Sequence, residues 1–285
     1  MGYRVGVIRG DGVGPEVIPQ ALKALQAAYP DLEFVDIKAG YAYFKSTGRP
    51  IEEGGLDLIK SLDATIKGPL QTPPGPNTMR SINVFLRKEL GLHTNVRPFT
   101  SYRGVSLHQG FEFVIFRENL EGLYSGIEGR IHNTAVSLKV VTAEETRKVV
   151  REALRYAEMK GLRRVTAIHK ANILKESDGL FREVFWEEVR GKRFEADELF
   201  VDAAAYWMVK DPVRFQALVT PNLYGDILSD LAAGITGSLG LCGSAQIGDD
   251  VAVFEPVHGT APDIAGKGIA NPISAVRAAA LLLEY

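Results

Sequence analysis

Short β-branched runs alternate with segments of helical spacing along nearly the whole chain. "YRVGVI" precedes "PEVIPQALKALQAAY", "ATIKG" follows "GLDLIKSL", and "RVTAIHK" follows "AEETRKVVREALRYAEMKG". The order continues through "ESDGLFREVFWEEVRG", "ELFVDA", "AAYWMVKD" and "FQALVT", and ends with "ISAVRAAALLLEY". Parallel strands need a crossover, usually a helix, between them, so this rhythm predicts an α/β architecture with much parallel sheet. One stretch breaks it. "YSGIEGRIHNTAVSLKVVT" is alternating and β-branched, which predicts an antiparallel excursion. The length, 285 residues, suits one large domain or two moderate ones. No linker is evident, so a boundary is expected at crossovers within the sheet.

Bulk properties exclude several functions. Hydrophobic residues make up 46% and charged residues 24%, both ordinary for a globular protein. The net charge of −2 sets up no field for nucleic acid or an anionic membrane. Cys242 is the single cysteine, so no internal disulfide forms and a reducing, cytoplasmic setting is expected. The N-terminal "MGYRVGVIRGDG" reads as a strand rather than a signal peptide, and no apolar run approaches the ~18 residues of a membrane span.

Several constellations carry chemistry. "GDGVG" follows a strand and precedes a helix, but its glycines at 10, 12 and 14 do not match the dinucleotide fingerprint G-x-G-x-x-G, so a tight glycine turn is expected. "GPLQTPPGPNTMRSINVFLRKELGLHTNVRP" holds Ser81, Asn83, Arg87 and Arg97 behind a Pro- and Gly-rich loop. Ser81, Asn83 and Arg87 are expected to line the start of a helix, where anions are favoured. Arg117 ends the strand-like "FEFVIFRE". One such arginine reads most simply as a surface salt bridge; three from separate segments suggest a polyanionic small molecule, because guanidinium matches carboxylate bidentately. Lys170 lies just past an apolar strand, with Asn172 two residues on. A lysine in a partly desolvated cleft acts as a base, although most lysines are solvated.

In "TPNLYGDILSDLAAG", Asp226 and Asp230 lie one helical turn apart on one face, where like charges repel. A solvated acidic face near a helix N-terminus is the plain reading. Asp202, at the end of "LFVDA", adds a third carboxylate near a strand end. Three carboxylates without Cys or His suit a hard cation, Mg²⁺ or Mn²⁺, which would relieve the repulsion. Finally, "FEPVHGTAPDIAGKGIANP" is a long Gly/Pro-rich stretch with Glu255, His258, Gly259, Asp263, Ile264 and Asn271. A carboxylate such as Asp263 accepts from both hydroxyls of a ribose and repels a 2′-phosphate.

Together these motifs resemble the β-decarboxylating dehydrogenases of the isocitrate/isopropylmalate/homoisocitrate family. The resemblance runs from "GDGVGPEV" to "ANPIS" and includes "GPLQTP", "RENLEGLY", "HKANILK", "NLYGDILSDLAAG" and "HGTAPDIAGKGIANP". It implies the family's own two-domain α/β fold rather than a Rossmann fold. The implied division is residues 1–99 plus 237–285 as a large cofactor-binding domain, and 100–236 as a small domain with the dimer interface and a clasp at about 125–143. Arg87, Arg97 and Arg117 match the arginines that hold the substrate carboxylates, with Asn172 also at the substrate. Tyr124 and Lys170 match the catalytic pair. Asp202, Asp226 and Asp230 match the metal carboxylates, with Lys170 and Asp202 reaching into the partner's site of a homodimer. Thr72 matches a residue near the nicotinamide, and Glu255, His258, Gly259, Asp263, Ile264 and Asn271 fall in the cofactor loop.

Two patterns bear on specificity. "RSINVFLR" is similar to the Ser-x-Asn pattern of isocitrate dehydrogenases, which places Ser81 and Asn83 at the γ-carboxylate. "APDIAG" resembles the NAD-specific form, since NADP-specific relatives tend to carry Lys and Tyr at the positions of Asp263 and Ile264. The implied activity is NAD-dependent, Mg²⁺- or Mn²⁺-dependent oxidative decarboxylation of isocitrate. The alternatives are the same chemistry on homoisocitrate or 3-isopropylmalate, and a non-catalytic regulatory subunit, which would be expected to lack some of Tyr124, Lys170 and the aspartates. The chain departs from the family pattern at Arg9, where proline is usual, at Gln71, where threonine is common in isocitrate enzymes, and at Tyr285, beyond which the family usually continues.

Overall fold

A computed structural model describes residues 2–72 and 81–285. The Pro- and Gly-rich residues 73–80, expected to lead into the anion-binding helix, lie outside the described residues. Elements run in chain order: β1 (Arg4–Ile8), α1 (Gly14–Ala28), β2 (Glu33–Asp36), α2 (Tyr41–Thr47), α3 (Gly55–Lys60), β3 (Ala64–Lys67) and α4 (Ile82–Glu89). There follow β4 (Thr94–Thr100), β5 (Glu112–Glu118), β6 (Gly122–Ile131), β7 (Thr134–Val140), α5 (Ala143–Lys160), β8 (Arg164–His169) and α6 (Ser177–Val189). The chain continues with β9 (Glu195–Phe200), α7 (Val201–Lys210), β10 (Ala217–Thr220), α8 (Asn222–Thr236), β11 (Gly243–Ile247), β12 (Ala252–Pro256) and α9 (Ile273–Glu284). Among the described residues, no helix is long and apolar enough to cross a membrane.

The chain divides into two compact units, Met1–Leu92 with Ser238–Tyr285, and His93–Gly237. The division falls before β4 rather than after it, because β4 pairs antiparallel with β5 from Thr94↔Glu118 to Thr100↔Glu112. The first unit holds strands in the order β2-β1-β3-β12-β11. All pairs are parallel except β11 with β12. Alternation along β1 splits its core in two. Val5 and Val7 pack with Val17, Ile18 and Leu25 of α1 and Ala275 and Ala279 of α9, while Ile8 joins Ile59, Ile82 and Leu86 on the other face. Side chains at i and i+2 of a strand share a face, so one strand serves both layers.

The second unit holds the order β4-β5-β10-β8-β9, with β5, β10, β8 and β9 parallel. Phe116 of β5 meets Tyr156 of α5 edge-on at 5.4 Å between ring centroids. Helix α5 starts on a side-chain N-cap, Thr142 Oγ1 accepting from the Glu145 amide at 3.2 Å, and ends at Gly161 with φ +66°. The expected antiparallel excursion is the β6–β7 hairpin. Asp202, expected at a strand end, sits instead in the first turn of α7, because β9 stops at Phe200.

Helix α8 approaches β5 closely, and Gly225 permits it. A Cβ there would lie 2.6 Å from Cγ and 2.7 Å from Cβ of Arg117. In the same helix, a Cβ on Gly234 would meet nothing within 4 Å. Alanine is favoured over glycine in a helix by about 1 kcal/mol, whereas overpacking a rigid contact costs about 1–3 kcal/mol. Urea denaturation should therefore show Gly225→Ala destabilised and Gly234→Ala stabilised by up to about 1 kcal/mol. Equal effects of the two substitutions would contradict the close approach.

Candidate active site

In the second unit, strand pairing and one helix gather charged side chains. Asn95 and Arg97 share a face of β4, and β5 aligns Arg117 opposite Asn95 and beside Thr220 of β10. After Pro221 the chain turns into α8, whose spacing brings Asn222, Asp226 and Ser229 to one side. Arg117 is 1% exposed. Its Nε and Nη2 donate to Asn222 Oδ1 at 3.0 and 2.7 Å, and its Nη1 donates to Asp226 Oδ1. Arg97, also buried, donates from Nη1 to Ser229 Oγ at 2.5 Å and from Nε to Asn95 Oδ1 at 3.2 Å, with Asp226 Oδ1 at 3.9 Å. Tyr124 donates to Asp226 Oδ2 at 2.5 Å, and Arg117 stacks over its ring at 4.9 Å. Burial raises the Tyr124 pKa, and the bond to Asp226 raises it further, so the phenol stays protonated as a donor.

Asp230 lies one turn beyond Asp226 on the same helix. Partial burial raises its pKa; Arg97 and Arg117 lower it, and the neighbouring Asp226 charge raises it. This is the electrostatic repulsion expected from the spacing, and a hard divalent ion between the two carboxylates would remove it. The third carboxylate is elsewhere. Asp202 pairs with Lys170, Nζ to Oδ1 at 2.5 Å. Among the described residues, no group of three potential ligands forms within the chain. Asp202, Asp226 and Asp230 are thus not brought together by one copy. Lys170 is fixed through its amide, which donates to Asp178 Oδ2 at 2.7 Å; Asp178 is fully buried and pairs with Lys139 of β7. Asn172 is exposed just beyond. His169 is buried, accepts from the Ala171 amide at 3.1 Å, and has its pKa lowered by burial, consistent with a packed neutral imidazole.

In the first unit, a second polar chain runs through buried side chains. Lys67, 1% exposed at the end of β3, pairs with Glu255 and donates to Asn83 Oδ1 at 2.9 Å. Gln246 donates to Glu255 Oε1 at 2.6 Å and accepts from Arg87 Nε at 2.8 Å. Three expectations change here. Glu255 is not a loop residue: it lies in β12, buried against the Lys67 charge. Arg87 sits in the last turn of α4, not at its start. Asn83 has both ends of its amide engaged, by Lys67 and by Leu70 O at 3.3 Å. Ser81 occupies the N-cap position of α4 without a capping bond.

The segment between β12 and α9 forms a loop. His258, Asp263, Ile264 and Asn271 lie along it, with Gly259, Asp263 and Asn271 exposed. His258 Nδ1 lies 2.9 Å from Gly259 O, and Asn271 Oδ1 accepts from the Ile273 amide at 3.0 Å. Thr72 is exposed. Asp11 explains the "GDGVG" turn. Its carboxylate accepts from the amides of Tyr41, Ala42 and Gln71 at 2.8 to 3.0 Å, so the turn ties α2 and the β3–α4 connection together.

Residues 4–285 match the model of the isocitrate/isopropylmalate dehydrogenase family. The chain belongs to that family. It is 43% identical to the isocitrate/homoisocitrate dehydrogenase of Thermus thermophilus over 288 residues, covering 100% of this chain and 86% of that protein. It is 42% identical to the 3-isopropylmalate dehydrogenase of Methanothermobacter thermautotrophicus, covering 99% of this chain and 85% of that protein. The crystal structure of isocitrate dehydrogenase from Methylococcus capsulatus superposes with a TM-score of 0.95 at 44% identity, covering 99% of this chain and 85% of that one. The fold is therefore the two-domain α/β fold of the isocitrate/isopropylmalate dehydrogenases.

Several residues of these two polar networks, one in each unit, escape sequence reasoning. Asn95, Asn222 and Ser229 hold the arginines, and Lys67 and Gln246 hold the first-unit network. The helical spacing of Asn222, Asp226 and Ser229 was a usable signal, as was a lysine ending an apolar strand. Glu118 was also missed. It is buried at the end of β5 and accepts from the amides of Leu120 and Glu121 at 2.6 and 3.0 Å. Burial pushes its pKa up to about 7, against the lowering effect of those amides; the Glu121 and Glu145 charges add to the rise. A folded-state pKa above the unfolded value means that protonated Glu118 contributes stability below about pH 4.5, which is lost as pH rises through about 7. Glu118→Gln keeps an acceptor without the charge. It should be more stable than wild type near pH 8.5, by up to about 3 kcal/mol, and equal to it near pH 4.5. Denaturation curves at both pH values check this, and a pH-independent difference would contradict it.

Proposed function

We propose that the chain is an NAD-dependent, divalent-cation-dependent dehydrogenase that converts isocitrate to 2-oxoglutarate and CO₂ in the cytoplasm. The carrying observation is the convergence of Arg97, Arg117 and Tyr124 on Asp226, one turn from Asp230. Two buried guanidinium groups facing carboxylates and a protonated phenol suit a substrate rich in carboxylates that must lose one and gain a proton.

Asp226 and Asp230 would hold Mg²⁺ or Mn²⁺, with Asp202 of a second copy as the third carboxylate. The oxygen-only donor set fits such an ion. When bound, the ion supplies Lewis acidity at the substrate C2 oxygen, and the nicotinamide supplies the hydride acceptor. The chain's own residues do the rest. Arg97 and Arg117 hold carboxylates, joined by Arg87, and Asn172 completes the substrate contacts. Lys170, which pairs with Asp202 and comes with it from the second copy, takes the C2 hydroxyl proton. Tyr124 delivers a proton to the carbon that has lost CO₂. Asp263 receives the adenosine ribose hydroxyls; Gly259, His258, Ile264 and Asn271 shape the loop around the dinucleotide, with Thr72 at the nicotinamide.

Two observations support a homodimer. Lys170 and Asp202 pair apart from Asp226. The β6–β7 register also places Ile127, Ile131, Val136 and Leu138 on one face of the hairpin, and all four are exposed. A two-stranded ribbon gains little stability alone, and a second copy covering this face would supply it. We assign it as the clasp.

Isocitrate is favoured by the polar "RSINVFLR" segment. Ser81 makes no capping bond to α4, while Asn83 holds Lys67. The names of the relatives, isopropylmalate and isocitrate/homoisocitrate dehydrogenases, speak equally for the same chemistry on those acids. A steady-state assay crossing the three acids with NAD⁺ and NADP⁺ tests the reading. Isocitrate with NAD⁺ is expected to give the highest kcat/KM, with NADP⁺ at least about tenfold worse. Ser81→Leu should lower kcat/KM for isocitrate and spare that for isopropylmalate, because it leaves one carboxylate unpaired. Asp263→Lys with Ile264→Tyr should narrow the cofactor ratio. Preference for another acid overturns the substrate assignment, and preference for NADP⁺ overturns the cofactor assignment.

A further inference from the structure

The loop between β12 and α9 has no ladder or helix of its own, yet it is tied to the start of the chain at two places. The first is the β1–α1 turn. The Val13 amide donates to Thr260 O at 2.9 Å, and Gly12, with φ +59°, lies so close that a Cβ there would fall 1.9 Å from the same oxygen. The second is the first turn of α1. Glu16 Oε1 accepts from the Gly266 amide at 2.5 Å and Oε2 from the Gly268 amide at 3.0 Å. Both glycines have positive φ, +79° and +66°, which lets their amides turn toward one carboxylate. Asp263 and Ile264 lie between the two anchors. So does Ala261, held at φ +40°, a conformation that an L side chain adopts only under constraint from its surroundings.

We propose that Glu16 is a positioning residue for the dinucleotide: its carboxylate clamps the distal end of the loop so that Asp263 and Ile264 are presented in a set conformation before the cofactor arrives. The proposal rests on the assignment of this loop to the cofactor. A carboxylate accepting two backbone amides forms charge-assisted bonds, stronger than neutral ones, and its place in the first turn of α1 is further favoured by the helix dipole. Ordering a loop before binding removes that entropy loss from the binding step. Glu16 touches no substrate in this account. Its effect is confined to dinucleotide affinity.

The test uses the full chain with Glu16→Ala and Glu16→Gln. NADH binding is measured by fluorescence titration, amide exchange is followed at Gly266 and Gly268, and kcat is measured at saturating NAD⁺. Glu16→Ala should weaken NADH binding roughly tenfold and speed exchange at both glycines, with kcat at saturation little changed. Glu16→Gln, which keeps one acceptor oxygen, should fall between it and wild type, and it carries the comparison if the alanine variant does not fold. Wild-type NADH affinity in both variants, while Asp263→Lys still shifts the NAD⁺/NADP⁺ ratio, overturns the role of Glu16 alone. If Asp263→Lys also leaves dinucleotide preference unchanged, the loop is not the cofactor segment and the proposal falls with that assignment.

Discussion

The second unit is arranged around one buried charge. Arg117 is all but sealed from solvent, and a guanidinium in that position must be matched or it destabilises the fold. Asn222 takes two of its donors and Asp226 a third, while the Tyr124 ring covers its face. Removing one partner of such a pair costs about 3–5 kcal/mol, because the other charge stays buried. The glycine at 225, the tight approach of α8 to β5, and the Pro221 turn that starts α8 all serve this one contact.

That contact also sets the charge balance on which catalysis would depend. Arg97 and Arg117 bring two positive charges toward Asp226 and Asp230, which bring two negative ones. A tricarboxylate alone would unbalance the set, and a divalent cation alone would unbalance it the other way. Bound together they would nearly cancel, so on the proposed reading the site would favour the metal–substrate pair over either component. Asp226 has both oxygens engaged by Arg117 and Tyr124, so it links the two guanidinium groups to the phenol.

Most of the architecture was legible in the sequence, because crossover helices between β-branched strands leave a strong periodic trace. Asp226 and Asp230 were legible for the same reason: helical spacing is a local property. Glu255 was misplaced as a loop residue because its strand, β12, pairs with the distant β3 and β11, and no local pattern encodes that register. Arg87 was placed at the start of a helix that begins at Ile82, so it falls in the last turn instead. Asn83 looks free to face a substrate because its partner, Lys67, comes from the end of β3, outside its own helix. Glu118 was missed because its environment, buried and met by two backbone amides, arises only from the β5–β6 turn.

Metal binding reads out the Asp226–Asp230 pair and its arginines. Mn²⁺ titration followed by electron spin resonance, with and without isocitrate, reports the cation without requiring turnover. Isocitrate is expected to tighten Mn²⁺ binding to wild type, and Asp226→Asn to weaken it by tenfold or more, about 1.4 kcal/mol. Mn²⁺ affinity unchanged by Asp226→Asn, or unaffected by isocitrate in the wild-type protein, would contradict it.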